Sequence, residues 1–340
     1  MIGEPLRCVG WDDRVAALFA AVAGEGRQPA RVVRVERSVS IVATADGERP
    51  ARSAVLPAVG DWVAVTTGPA NEVTVEAVVE RWSALARRDP DGMTQVLAAN
   101  VDLVLITAPA DRLSAARVER EAVLAWDSGA RPVVLVTKSD LAAPGLVVDL
   151  RDRLFGVDVT VTSTVTGQGV DEVAAMLRPC RTAVLMGPSG AGKSSLANAL
   201  VGRPEVVTGD VRQGDSRGRH TTTSRQLLVV PSGGVLIDTP GLRSLALAGD
   251  GSGVDAAFAD VESLAAGCRF GDCHHDREPG CAVLAAVAGG ALDAARLASY
   301  AKLRRELSFH ARGDDALARQ QVARAWKAQT RAMRRLPQKR

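Results

Sequence analysis

The residues with the clearest chemical potential lie in one stretch, Gly187-Pro188-Ser189-Gly190-Ala191-Gly192-Lys193-Ser194, followed directly by Ser195. The spacing fits G-x-x-x-x-G-K-[ST]. Glycines at these positions let the backbone wrap tightly, so that several N–H groups converge on one anion. The apolar run TAVLM precedes the stretch and SSLANALVG follows it, as a strand and a helix would. The N-terminus of that helix adds partial positive charge. In such a loop Lys193 reaches the outer phosphates of a nucleotide and the Ser194 hydroxyl ligates Mg²⁺. Only five residues of the chain are Lys, which makes a Lys at this position informative. The chemistry is phosphate binding, and this motif leaves the base open.

Two other segments narrow it. Gly234-Val-Leu-Ile-Asp238-Thr-Pro-Gly241 is an apolar strand ending in D-x-x-G. Asp238 there can hold Mg²⁺ through its water shell, and the Gly241 N–H can sense a γ-phosphate. Between the two motifs, Arg219-His220-Thr221-Thr222-Thr223 offers a hydroxyl to the same metal, and Thr222 and Thr223 both qualify. Upstream, Thr137-Lys138-Ser139-Asp140 closes the apolar run VVLV and reads as [NT]-K-x-D. A carboxylate accepts two parallel hydrogen bonds from the N1–H and 2-amino group of guanine. Adenine has an acceptor at N1 and no 2-amino group, and an unpaired acceptor costs about 1–3 kcal/mol. Asp140 therefore selects guanine, while Lys138 can lie against the base. Ser163, in VTSTVTGQG, suits a loop that backs the guanine oxygen. An ATP-dependent kinase or transporter ATPase conflicts with TKSD, and the chain has no LSGGQ-like signature.

The motifs stand in an unusual order. Base recognition precedes the phosphate loop, and D-x-x-G comes last, which amounts to a circular permutation of the ordinary GTPase sequence. Permutation is tolerated where termini lie close together at the surface. The chain leaving D-x-x-G then runs straight into Cys268-Arg-Phe-Gly-Asp-Cys273-His-His275-Asp-Arg-Glu-Pro-Gly-Cys281. Three thiolates and one imidazole in C-x4-C-x-H-x5-C spacing suit a closed, structural, tetrahedral Zn²⁺ site. His274 competes with His275 for the fourth place. Cys8 and Cys180 lie outside the cluster and read as buried thiols.

The elements that must position these residues follow from periodicity. Residues 30–90 hold short β-branched, partly alternating runs (RVVRVE, SVSIVAT, DWVAVTT, EVTVEAVVE) broken at DGERP, PAVG and TGPAN. That pattern predicts a small barrel of the OB or SH3-like kind, after a helical lead-in over 1–25. From Val101 the pattern becomes continuous apolar runs alternating with helical segments such as Ser114–Trp126 and Val170–Leu177, which predicts a doubly wound parallel sheet. After Val254 it turns helical and Ala-rich. The expected division is 1–90, a barrel; 91–250, a permuted GTPase domain; and 251–340, a zinc-binding, basic helical domain.

Charge is distributed unevenly along the 340 residues. The formal net charge is only +3, yet residues 296–340 hold 13 Lys+Arg against 3 acids. An acidic body carries a basic tail, with Arg304, Arg305, Arg331, Arg334 and Arg335 as its charged surface. Aromatics make up 3% of the chain, and the barrel offers Trp62 and Trp82, too few for base stacking, so any nucleic-acid contact would lean on phosphates and shape. No apolar run is long enough to span a membrane, and no basic start is followed by an apolar run. Five Cys do not make a disulfide scaffold, which points to a reducing cytoplasm.

In combination these motifs resemble one family, the circularly permuted ribosome-biogenesis GTPases of the RsgA (YjeQ) type, over nearly the whole chain. The resemblance implies an OB fold for the barrel and His275 as the zinc ligand. It also implies a late assembly factor that binds the small ribosomal subunit and its rRNA, released by subunit-stimulated GTP hydrolysis. Leu242 follows D-T-P-G where many GTPases carry a catalytic Gln, a replacement the family shares. His220, or a ribosomal RNA group, is then the expected positioner of the attacking water, with Lys193 as the phosphate-stabilising group. The alternative is a GTP-gated RNA-binding scaffold whose hydrolysis is incidental. Either way the chain is expected to be a monomer, binding GTP with Mg²⁺ and one Zn²⁺ and no membrane.

Overall fold

The computed structural model describes residues 3–36, 39–88, 94–204, 225–238 and 250–309. His220, Thr222, Thr223, Gly241, Leu242 and the tail arginines Arg331, Arg334 and Arg335 lie outside them.

Two short helices lead in, α1 (Glu4–Cys8) and α2 (Asp13–Phe19). The Asp12 side chain caps α2 by accepting the Val15 N–H. Five strands follow: β1 (Gln28–Val35), β2 (Ser40–Thr44), β3 (Gly47–Ser53), β4 (Trp62–Thr67) and β5 (Val73–Val78). They run β1-β2-β3-β5-β4, and β4 returns to pair with β1, closing a barrel of the OB type. Its interior is small and mostly β-branched (Ala30, Val32, Val42, Ala51, Val63, Val65, Val73 and Val75), as a narrow barrel requires. β3 covers GERPARS, whose first four residues belong to the expected break DGERP. Only Ala51 of this strand is buried, so it carries no apolar alternation, and backbone pairing with β2 and β5 holds it.

A hairpin of β6 (Ala84–Arg88) and β7 (Thr94–Ala99) comes next, also without a sequence signal. The expected join at residue 90 lies outside the described residues.

The nucleotide-side strands are β8 (Leu103–Pro109), β9 (Arg131–Thr137), β10 (Asp158–Val161), β11 (Thr182–Met186), β12 (Gln226–Val229) and β13 (Val235–Asp238), in the order β10-β9-β8-β11-β13-β12. All are parallel except β12, which runs antiparallel to β13. Every residue of β8 is buried, the signature of a central strand covered on both faces. The connecting helices are α3 (Ala115–Asp127), α4 (Leu146–Arg153), α5 (Val170–Met176) and α6 (Lys193–Val201). β12 also meets β1 of the barrel, with Arg34 opposite Gln226, so one hydrogen-bonded sheet runs through both units.

The C-terminal part holds α7 (Ser252–Ala257), α8 (Ala259–Ala265), α9 (Ala282–Ala288) and α10, residues 294–309. It docks on α3 through buried charge. Arg296 forks onto Asp260 with two bonds of 2.6 Å, reaches Glu119 of α3 at 3.3 Å, and lies over the Phe258 ring. Arg153 of α4 holds the same Glu119 at 2.8 Å. The Gly253 N–H donates to Asp127 at the end of α3.

Arg31, on β1, is 1% exposed. Its guanidinium donates to the Val9 carbonyl, to Gly60 O at 3.2 Å and to Thr182 Oγ1 at 2.8 Å, and lies against the Trp62 ring. Burial pulls it down to about 10, against the pull of Asp102 and Asp61. At Gly10 a Cβ would lie 2.6 Å from Arg31 Nη1, and the residue sits at φ +98°, so the turn beside the clamp needs glycine. Trp62 is buried in this seam, and Arg14 stacks 3.7 Å over one face of Trp82, which leaves little indole surface for RNA bases. The two outlying thiols depart from the buried reading. Cys8 is exposed, because α1 turns Leu6 inward instead, and Cys180 is only partly covered, its thiol 3.6 Å from the Arg7 carbonyl.

Arg31→Met keeps volume but leaves three acceptors without their donor. Such a loss is expected to cost about 3 kcal/mol of stability. Chemical denaturation followed by fluorescence checks it, and an unchanged midpoint would refute the clamp.

Candidate functional site

The C-terminal ends of β9, β11 and β13 lie in one sheet, where open α/β folds bind ligands. The phosphate loop leaves β11 and enters α6. Gly187, at φ +138°, passes over the end of β8, where a Cβ would lie 2.2 Å from Thr107 Oγ1. That hydroxyl donates to Met186 O at 2.8 Å, so β8 supports the loop from below. Lys193 Nζ donates to the carbonyls of Gly187 (2.9 Å) and Pro188 (2.7 Å), which holds the ammonium against the loop. Ser194 sits in the first turn of α6, half-buried, and Ser195 faces solvent. Asp238 ends β13; burial pushes its carboxyl up, and Lys193 pulls it back down.

The base loop leaves β9. Thr137 is buried, and its hydroxyl donates to Ala191 O at 2.7 Å, tying this loop to the phosphate loop. Lys138 takes the left-handed conformation at φ +55° and pairs with Asp111 at 3.1 Å. Ser139 holds Gln168 at 2.9 Å, and its N–H donates to Thr162 O. Ser163 stands beside the base loop, in the segment after β10. Its hydroxyl donates to Asp140 Oδ1 at 2.6 Å and so orients the carboxylate. Thr107, Asp111 and Arg112, all on the β8 side, escaped the sequence reading, since they belong to no motif.

Cys268, Cys273, His275 and Cys281 bring their ligand atoms within 4.8 Å of one another, and the set can hold a metal ion. Cys268 Sγ lies 3.6 Å from His275 Nδ1 and 3.8 Å from Cys281 Sγ, and His275 Nδ1 lies 3.4 Å from Cys281 Sγ. His274 faces solvent and stays outside the cluster. Cys281 caps α9, its sulfur accepting the Leu284 N–H, which fixes the side chain at the start of that helix. The loop around the cluster is pinned by one carboxylate. Glu278 accepts N–H groups from His274 (3.0 Å), Asp276 (2.9 Å) and Arg277 (3.0 Å), which hold it down to about 2.

A parallel sheet carrying base loop, phosphate loop and terminal Asp in this chain order is that of a circularly permuted P-loop GTPase. The RsgA GTPase family model matches residues 78–248. The chain is 46% identical over 338 residues to small ribosomal subunit biogenesis GTPase RsgA of Streptomyces coelicolor, covering 95% of this chain and 92% of the relative. It is 43% identical over 350 residues to the RsgA of Opitutus terrae, covering 95% of each. Among solved structures, YjeQ from Thermotoga maritima superposes with a TM-score of 0.63 at 26% identity, over 83% of this chain and 98% of that one. YloQ, described as a circularly permuted GTPase, shares the fold at a TM-score of 0.61 and 23% identity, over 84% and 96%. The chain belongs to the RsgA GTPase family and is a GTP-hydrolysing enzyme.

Glu278→Ala removes three acceptor contacts from the metal loop at once. Metal should then leave faster under a chelator, measured as release into a colorimetric indicator. Equal rates for variant and wild type would show the carboxylate to be dispensable.

Proposed function

We propose that this chain hydrolyses GTP as an assembly factor acting late in maturation of the small ribosomal subunit, with hydrolysis stimulated by the subunit and coupled to release. One contact carries the nucleotide reading: the Thr137 hydroxyl donates to Ala191 O, which ties the base loop directly to the phosphate loop. Asp140 would read the guanine edge, oriented by Ser163. Lys138 would lie along the base, and the N–H groups of residues 187–195 would surround the phosphates. Ser194 and Asp238 offer the hard oxygen donors that suit Mg²⁺, with Thr222 or Thr223 as a third. Bound there, Mg²⁺ would neutralise charge on the β- and γ-phosphates. Lys193 would do the same from the loop side. Leu242 cannot orient water, which leaves that task to His220 or to an RNA group.

The Cys₃His cluster fits zinc. Bonds of about 2.3 Å to sulfur and 2.0–2.1 Å to nitrogen in a tetrahedron give edges near those found between Cys268, His275 and Cys281. Four protein ligands leave no open position, so its role would be structural. The subunit as partner is supported by the names of the relatives. Among the described residues no helix is long and apolar enough to cross a membrane; the cytoplasmic location we propose rests on the ribosome-assembly role named for the relatives. We read it as a monomer of three parts: a barrel (1–90), the GTPase domain (91–250) and a zinc-binding helical domain (251–340).

GTP turnover should rise at least tenfold with purified small subunits and stay flat with large ones. No stimulation by either would favour a GTP-gated scaffold. His220→Ala should lose most of the stimulated rate if His220 positions the water. Separately, Asp140→Asn should weaken GTP at least tenfold and favour xanthine nucleotides, since an amide pairs with a carbonyl at C2. Competition against a fluorescent nucleotide reads both.

A further inference from the structure

The base loop and the phosphate loop share a third support that carries no sequence motif. β8 ends under the phosphate loop at Thr107, and a short 3-10 turn, Ala110–Arg112, follows. Two adjacent residues of that turn reach in two directions. Asp111 Oδ2 accepts Lys138 Nζ at 3.1 Å. Arg112 Nη2 donates to Ser189 O at 2.7 Å. The fit at the second contact is close, since a Cβ on Gly190 would lie 2.6 Å from Arg112 Nη2.

We propose that Asp111 and Arg112 are positioning residues of the guanine-nucleotide site, which rests on the reading of that site given above. A lysine stem has four rotatable bonds, and its ammonium is strongly hydrated. Left alone, Lys138 would swing its end into solvent. Its backbone is already fixed at φ +55°, so anchoring Nζ on Asp111 fixes both ends of the stem and leaves its methylenes where a base can rest. Arg112 acts through the peptide plane. In a trans peptide the carbonyl and the following N–H point in opposite directions. Holding the Ser189 carbonyl outward toward Arg112 therefore aims the Gly190 N–H into the loop, at the phosphates. One turn thus sets the geometry at both ends of the nucleotide.

The test is dissociation of fluorescent GDP and IDP analogues from the full chain, followed by stopped flow. The Asp111–Lys138 pair is about one-third exposed on each side, so its loss should have the modest effect of a partly screened pair. Asp111→Ala should speed release about fivefold. It should do so equally for GDP and IDP, because Asp140, which reads the 2-amino group, is untouched. In a Lys138→Ala background Asp111→Ala should add nothing. Arg112→Ala should speed release in both backgrounds alike, and Arg112→Lys, which can still donate to Ser189 O, should restore much of the wild-type rate. Thermal midpoints without nucleotide should stay within a degree or two.

Unchanged rates would overturn the proposal. So would an Asp111 effect that persists without Lys138, or one that changes the GDP-to-IDP ratio. A wild-type protein that released GDP as fast as ADP would instead sink the guanine reading itself, and this inference with it.

Discussion

Thr182 opens β11, the strand that delivers the phosphate loop, and it is held on three sides. Its hydroxyl accepts from Arg31 at 2.8 Å, its N–H donates to Asp102 Oδ2 at 2.8 Å, and its carbonyl accepts the Asp102 N–H at 2.8 Å. Arg31 belongs to the barrel, and Asp102 stands at the start of β8 and also holds Arg14 of α2 at 2.6 Å. Barrel, lead-in helix and nucleotide sheet thus converge on one polar knot, buried at Arg31 and Thr182 and reaching solvent at Arg14. Buried charge of this sort is costly unless every lone pair and proton is matched. Here the matching fixes where β11 begins relative to the barrel, and hence where Gly187 ends up. The barrel is bound to the root of the strand that carries the chemistry.

The permutation gives the other end of the sheet a second attachment. After β13 the chain never returns to the nucleotide sheet as a strand among the described residues. The C-terminal helices instead lean on α3 through Glu119, Arg296 and Asp260, and through Gly253 on Asp127. α3 follows directly on the turn that holds Arg112 and Asp111. The metal-bearing part of the molecule therefore rests on the element next to the nucleotide loops.

Much of the architecture was legible because its signals are local. The apolar runs of β8, β9 and β11 could only be strands buried on both faces, and Gly187 to Ser194 carries its chemistry in its spacing. β3 was not legible, because GERPARS is held by pairing on both sides and not by an apolar face. The β6–β7 hairpin and α4 escaped for a similar reason, having weak periodicity of their own. In the site, Asp140 was evident from the carboxylate that guanine requires. The partner of that carboxylate was not. Ser163 was placed in the loop that backs the base, but its hydroxyl bond to Asp140 spans 23 positions of sequence and has no linear signal. Asp111 and Arg112 matter only through contacts made 27 and 77 positions away, and no linear pattern encodes that. Cys8 and Cys180 were misjudged by residue type alone; Cys8, on a five-residue helix, faces away from the buried side that Leu6 takes.

The strand order also bears on how the molecule is made. The barrel is complete once residue 78 has left the ribosome that synthesises it, so it can close before any of the nucleotide sheet exists. β11 has β8 beside it as soon as it emerges, but its other neighbour, β13, arrives only near residue 238, after β12 has already passed. A nascent chain therefore carries a phosphate loop on a strand with one open edge for some fifty residues. During that interval the finished barrel, with β1 waiting to receive β12, is the template against which the late hairpin must register.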